Sequence, residues 1–313
     1  MSSSILTIII PTYNSENYID ILLKSLCKQT YNNFNIIIID DNSNDNTLTI
    51  IDKYVKLFNK LNIYSLNKNY GPSYCRNFGL FKVTTPYVTF SDSDDWIDST
   101  IYENSLQFMK KNIDIINYGI KYEYPTKRIT DKKYSYKKNH ILSGSEALSI
   151  YGHTSTNKIK IAPIVNNKIY KTEYLKNNGI IFNESIRYQE DDVFTFKALL
   201  SANKVAFIPN CFYHYVQREQ SLIHQVSKTS VTHFVQSYTE LINYLKNHNL
   251  FENYEKEFFL KFTNSMKSVV ERIKNYSKNT MQKIELLLLL SEQIKINLNS
   301  EETLNLLDKL IQN

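Results

Sequence analysis

Residues 34–45 read FNIIIIDDNSND. Four consecutive isoleucines, Ile36 to Ile39, leave no polar face, which suits a strand buried on both sides in a parallel sheet. The run stops at two aspartates, and Asn42, Ser43, Asn44 and Asp45 then supply turn formers and a helix cap. Upstream, ILTIIIP (residues 5–11) repeats the apolar run, and Ile19, Leu22, Leu23 and Leu26 follow it at the spacing of one helical face. Downstream, Ile50, Ile51, Tyr54, Val55 and Phe58 predict a second helix, LNIYSL a third strand, residues 74–82 a third helix, and PYVTF (86–90) a fourth strand. Strands alternating with helices over residues 5–118 predict an α/β fold, a mainly parallel sheet flanked by helices.

Beyond Tyr118 the alternation fades into KYEYPTKRITDKKYSYKKNH, an irregular hairpin or surface loop. Ser143 and Glu146 form a capping box for a short helix, while Thr172 as N-cap and Gly179 past the end bracket another. YQEDDVFTFKALL reads as a helix and VAFIPNCFYHYV as a strand. After Lys228 the pattern is helical to the end, with Phe234, Tyr238, Leu241, Ile242 and Leu245 on one face. The expected division is therefore residues 1–227, in halves 1–118 and 119–227, followed by a separate helical region, 228–313.

At 313 residues and 42% hydrophobic content the chain can bury full cores. Its 37 Lys and Arg against 31 Asp and Glu give a diffuse charge of +6, which asks for no nucleic acid partner. Three widely spaced cysteines, Cys27, Cys75 and Cys211, form no zinc-type cluster and fit a reducing compartment. The first apolar run ends at Pro11 and IELLLLL (284–290) is equally short, so neither is a signal core nor a membrane span. A cytoplasmic protein is expected, with peripheral docking at the inner face of the plasma membrane left open.

Ligands in such sheets bind outside the carboxyl ends of the strands. Three polar clusters fall there: PTYN after the first strand, DDNSND after the second, and SDSDDW after PYVTF. Asp92, Asp94 and Asp95 suit a divalent metal that carries phosphates, and they also suit a helix-capping turn. Asp41 can accept an imide N–H while Tyr13 stacks on a ring, or both can serve a tight turn. Arg76, in YGPSYCRN, is either a solvated cation or a bidentate partner of a diphosphate or of the acids. Glu190, Asp191 and Asp192 either complement a helix dipole or supply a general base in a pocket lined by Tyr188, Val193 and Phe194. In HYVQREQSLIH, Arg218 is the phosphate candidate, whereas His214 and His224 read as packing or surface residues.

Taken together, IIIPTYN, IIIIDDNSNDNT, NYGPSYCRN, YVTFSDSDDW and QEDDVF, in that order over roughly Ile5 to Ile223, resemble the inverting family 2 glycosyltransferases of the GT-A fold. The resemblance implies a UDP-sugar donor and Mn2+ or Mg2+. Pro11 and Tyr13 would then flank the base, Asp41 bind the uracil, and Asn69 and Arg76 approach the ribose and diphosphate. Asp92 would lie on the ribose side and Asp94 on the metal, with Asp95 supporting. Asp191 resembles the catalytic base beside Glu190, and Arg218 and Ser221 fit the later Arg and Ser segment loosely. Cys75 stands where the family often has Ala, and Gln189 where it has Gly or another small residue. The implied product is a bacterial surface polysaccharide, built on a glycan or lipid-linked acceptor. The rivals are a non-catalytic nucleotide-sugar or carbohydrate-binding protein and a DxD-type phosphatase; the phosphatase would want a Thr where Trp96 stands.

Overall fold

A computed structural model gives the fold and describes residues 4–124, 129–133, 137–151, 160–217 and 226–298. Along the chain run β1 (Leu6–Thr12), α1 (Ile19–Cys27), β2 (Phe34–Asp40), α2 (Thr47–Asp52), β3 (Leu61–Ser65), α3 (Pro72–Lys82), β4 (Tyr87–Phe90), β5 (Trp96–Ile97), α4 (Ile101–Met109), β6 (Ile115–Tyr124), β7 (Ile129–Lys133), β8 (His140–Leu142), α5 (Gly144–Tyr151), β9 (Lys168–Lys171), α6 (Thr172–Asn177), α7 (Glu190–Ser201) and β10 (Val205–Val216). Three long helices follow: α8 (Lys228–Asn247), α9 (Phe251–Tyr276) and α10 (Thr280–Asn297).

Among the described residues the strands form one sheet in the order β3-β2-β1-β4-β9-β6-β10-β5, with β7 on β6 and β8 on β10. The isoleucine runs pair in parallel, Ile8 against Ile36 and Thr12 against Asp40, and β4 joins β1 on its other side, Ile9 against Phe90. Antiparallel β9 links β4 to β6, which runs parallel to β10. The switch in strand order at β1 opens the crevice in which α/β sheets bind ligands.

Every residue of β1 and β2 is buried. Successive side chains feed opposite cores. Ile9, Ile37 and Ile39 join a cluster with residues of α3, α5 and α7, whereas Ile8, Ile10, Ile36 and Ile38 join one with α1 and α4. The first cluster continues without a break through Phe234, Tyr238, Phe258, Phe262, Leu286 and Leu290. Buried residues on both sides of residue 228 thus share one cluster. Gly79 lets α3 approach the sheet, since a Cβ there would meet the Ile9 side chain at 2.6 Å.

Of the irregular hairpin or surface loop expected beyond Tyr118, the hairpin is present, β6 pairing antiparallel with β7. The Ser143–Glu146 capping box forms, with Ser143 N donating to Glu146 Oε2 at 2.7 Å. Two local expectations are corrected. The helix expected through Phe58 ends at Asp52 and gives way to tight turns, Tyr54 N to Ile51 O and Leu57 N to Tyr54 O, which bury Tyr54 and turn Val55 out to solvent. Thr172 is not the N-cap of its helix; Lys171 holds that place, because Thr172 N is drawn to Pro86 O and its side chain is buried.

Candidate active site

The carboxyl ends of β1, β2 and β4 are stitched together by short polar contacts. Asn14 N donates to Ser43 Oγ, Asn44 N to Asn14 Oδ1, and the Ser15 and Ser93 hydroxyls lie 2.8 Å apart. All three polar clusters therefore share one rim. Pro11 is buried in β1 and Tyr13 stands half-exposed beyond it. Asp41 is buried, and its carboxylate accepts from Tyr70 N at 2.7 Å and Gly71 N at 2.8 Å. Gly71, at φ +96°, occupies a left-handed conformation that admits this turn. Asn69 lies beside Asp41, its amide 3.4 Å from Asp41 O.

Arg76, on α3, is 4% exposed and gathers both acid clusters. Nη2 donates to Asp92 Oδ1 at 3.0 Å, while Nη1 lies 3.1 Å from both Glu190 Oε1 and Asp191 Oδ1. The guanidinium also sits over the Phe182 ring. Of the readings offered for Arg76, a solvated cation is overturned by its burial, and the contact with the acids is present. Burial pushes the Asp191 carboxyl up to about 7, with Arg76 opposing and the charges of Glu190 and Asp92 assisting. A carboxylate so placed is poised to take a proton near neutrality.

The third acid of each cluster points elsewhere. Asp95 is buried and accepts from the Tyr213 hydroxyl at 2.5 Å and from Val216 N at 2.8 Å. Burial and the neighbouring Asp92 charge push its carboxyl up. Asp192 turns away from Arg76 toward Tyr151, Tyr238 and Lys261. The turn before it holds Gln189 at φ +67°, a left-handed conformation that accounts for a small residue being usual there.

Carboxylate oxygens of Asp92, Asp94 and Asp95 lie within 4.8 Å of one another. This all-oxygen donor set suits Mg2+ or Mn2+. Asp95 is buried whereas Asp92 and Asp94 are partly exposed, so coordination would fall first to Asp92 and Asp94.

One segment at the site was missed by sequence reasoning. Val165 N donates to Asp191 Oδ2 at 3.3 Å, and Asn166 Nδ2 to Asp92 Oδ2 at 2.7 Å. The loop that presents them is held by the buried Lys168, whose Nζ donates to Ala162 O, Ile164 O and Asn167 Oδ1. Burial pushes that ammonium down to about 7. The available signal was a lysine heading the strand KIYK directly after two asparagines. His214 is a packing residue as expected, stacked on Trp96 between Glu123 and Asp98. Arg218, with Ser221 and His224, lies outside the described residues. Among the described residues no helix is long and apolar enough to cross a membrane.

Comparison with known proteins agrees with this geometry. The family model described as "Glycosyl transferase family 2" matches residues 7–170, more than half of the chain, ending before Glu190. The poly(ribitol-phosphate) beta-N-acetylglucosaminyltransferase TarS of Staphylococcus aureus is 31% identical over 217 residues, 68% of this chain and 36% of TarS. The chain thus spans about a third of that relative's length. The cholesterol galactosyltransferase of Borreliella burgdorferi is 31% identical over 266 residues, 82% of this chain and 72% of the relative. The crystal structure of S. aureus TarS 1-349 in complex with UDP-GlcNAc superimposes with a TM-score of 0.66 at 24% identity, covering 93% of this chain and 81% of that one, and shows the shared GT-A fold. On the family match and on the Borreliella relative, which aligns over most of both sequences, the chain belongs to glycosyl transferase family 2.

Proposed function

We propose that the chain transfers a sugar from a UDP-sugar, with inversion at the anomeric carbon, to a hydroxyl of a glycan or lipid-linked acceptor in bacterial surface polysaccharide synthesis. The observation that carries this reading is Arg76, which joins the acid turn after β4 to the acid pair of α7, 114 residues away from it in sequence. Tyr13 and Asp41 line the uracil end, with Pro11 behind them and Asn69 toward the ribose. Asp191, with its raised carboxyl, takes the proton of the acceptor hydroxyl as that oxygen attacks. Arg76, itself paired with Glu190, holds Asp191 in place, and Val165 N–H fixes its second oxygen. Mn2+ or Mg2+ at Asp94 and Asp92 would supply positive charge to the departing diphosphate. Arg76 or Arg218 would add its charge at the leaving group. A cytoplasmic site of action follows from the nucleotide-linked donor. The TarS relative is named for transfer to poly(ribitol-phosphate) and the Borreliella relative for transfer to cholesterol, so a polymer and a lipid both fall within the acceptor range to be screened.

The test is calorimetric titration with UDP, GDP, CDP and ADP, with and without manganese, followed by turnover of UDP-sugars by the wild type and Asp191→Asn. Manganese-dependent, UDP-selective binding with turnover lost in the variant is expected. Absence of nucleotide binding by the folded protein would favour a non-catalytic carbohydrate-binding protein.

A further inference from the structure

The acid that follows the proposed base belongs to a different set of contacts. Asp192, 4% exposed, accepts from the hydroxyls of Tyr151 on α5 and Tyr238 on α8, and pairs with Lys261 Nζ on α9 at 2.9 Å. Lys261 is itself buried and lies over the Tyr151 ring. A buried carboxylate and ammonium that lose each other are left uncompensated, so the contact resists displacement. Asp192 is the third residue of α7, and its N–H and that of Val193 both close on Gln189 O. The backbone that carries Glu190 and Asp191 is therefore held at both ends, with its C-terminal end fastened to α5, α8 and α9. A second, partly buried pair, Lys197 with Glu240, also ties α7 to α8, but it lies five residues farther along and touches none of the site acids.

We infer that α8 and α9 position the Glu190–Asp191 pair through Asp192, with Tyr151, Tyr238 and Lys261 as positioning residues, which makes the C-terminal helices part of the catalytic geometry. The inference rests on Asp191 acting as base. Its effect is read in kcat, since misplacing a reacting group by about 1 Å costs on the order of 100-fold.

The experiment compares three full-length variants by UDP release from UDP-N-acetylglucosamine, UDP-glucose and UDP-galactose and by UDP calorimetry. Asp192→Asn/Lys261→Met removes the pair without stranding a charge, Lys197→Met/Glu240→Gln is the control, and Asp191→Asn reports the base. For the first, kcat is expected to fall by about 10- to 100-fold, with donor KM and UDP affinity within about twofold of wild type. The control is expected to keep kcat whatever it loses in Tm. Retained kcat in the folded double variant, or an equal fall in the control, overturns the inference. If Asp191→Asn keeps turnover, the base assignment fails and takes this inference with it; if Asp191→Asn is inactive while the Asp192 variant is not, only this inference fails. Should the double variant not fold, Tyr238→Phe removes one hydroxyl and leaves both charges paired. A lower kcat at unchanged KM is then expected, and an unchanged kcat is again the overturning result. A crystal structure of whichever variant folds gives a readout independent of turnover: Asp191 displaced from Arg76 and Val165 N supports the inference, and Asp191 in place contradicts it.

Discussion

The acid turn that follows β4 and the acid turn that opens α7 each hold three carboxylates, and each gives its last one to the fold. Asp95 is fastened by neutral donors, the Tyr213 hydroxyl and the Val216 amide, so its contacts survive a change of charge more easily. Asp192 is fastened by the Lys261 ammonium together with two tyrosine hydroxyls, so its contacts depend on ionisation. Of the four that remain, Asp92, Glu190 and Asp191 face Arg76 from two sides. Burial alone therefore does not decide what a carboxylate does; the charge on its donors does.

The sharpest way to separate the acids that face the site from those that hold it is Asp191→Asn. Turnover is expected to fall by roughly 100- to 10,000-fold with UDP binding retained, measured by kinetics and calorimetry. In the wild type kcat should decline as pH drops below about 7, because the base is progressively protonated. Stability carries the opposite sign. A carboxyl whose pKa is raised on folding favours the native state below its unfolded value and loses that contribution as pH rises through about 7. Asp191→Asn is thus expected to raise Tm at pH 8, with the gain shrinking toward pH 4. A variant that loses activity and stability together would assign Asp191 to the structure, alongside Asp192.

The two anchors can be compared directly. Lys261→Met alone leaves Asp192 buried and unpaired and is expected to cost about 3–5 kcal/mol in denaturant unfolding. Asp95→Asn replaces a carboxyl already pushed toward its neutral form and is expected to cost about 1 kcal/mol. Equal losses would remove the distinction between the anchors. On the site side, Asn166→Ala deletes the amide that holds Asp92 Oδ2 and should weaken manganese-dependent UDP binding by about 10-fold.

The strands were legible because β1, β2 and β4 are buried on both faces, so their composition alone marks them. The place of the acids was legible for a topological reason, since strand ends converge whatever their sequence. Their division of labour was not. Helical geometry turns Asp192 about 100° from Asp191, but what each then meets lies on α3, α5, α8 and α9. Arg76 was recognised as a partner of phosphate or acid, but which acids it reaches depends on the packing that brings α7 to it. Asn166 reads as turn material, because an amide that orients a carboxylate has no spacing of its own. Val55 and Thr172 failed for a local reason: periodicity continues past the point where tight turns replace a helix, and a cap is defined by backbone angles that Thr does not dictate.

Gln189 offers the smallest expected effect and asks which end of the α7 turn imposes its shape. At φ +67° its Cβ is crowded, a cost of roughly 1–2 kcal/mol that glycine would avoid. Glycine in turn gives the unfolded chain more freedom, which returns about 0.4–1 kcal/mol. Gln189→Gly should therefore stabilise by only about 0.8 kcal/mol, the difference between the midpoints of those two ranges. Its side chain makes no capping hydrogen bond, so none is lost. If Asp192 and the C-terminal helices impose the turn, kcat stays at the wild-type level, because a more permissive residue at 189 cannot release a segment fastened at 192. A fall in kcat at unchanged Tm would instead mean that Gln189 itself stiffens the turn, and the two anchored acid clusters would then differ in origin as well as in charge.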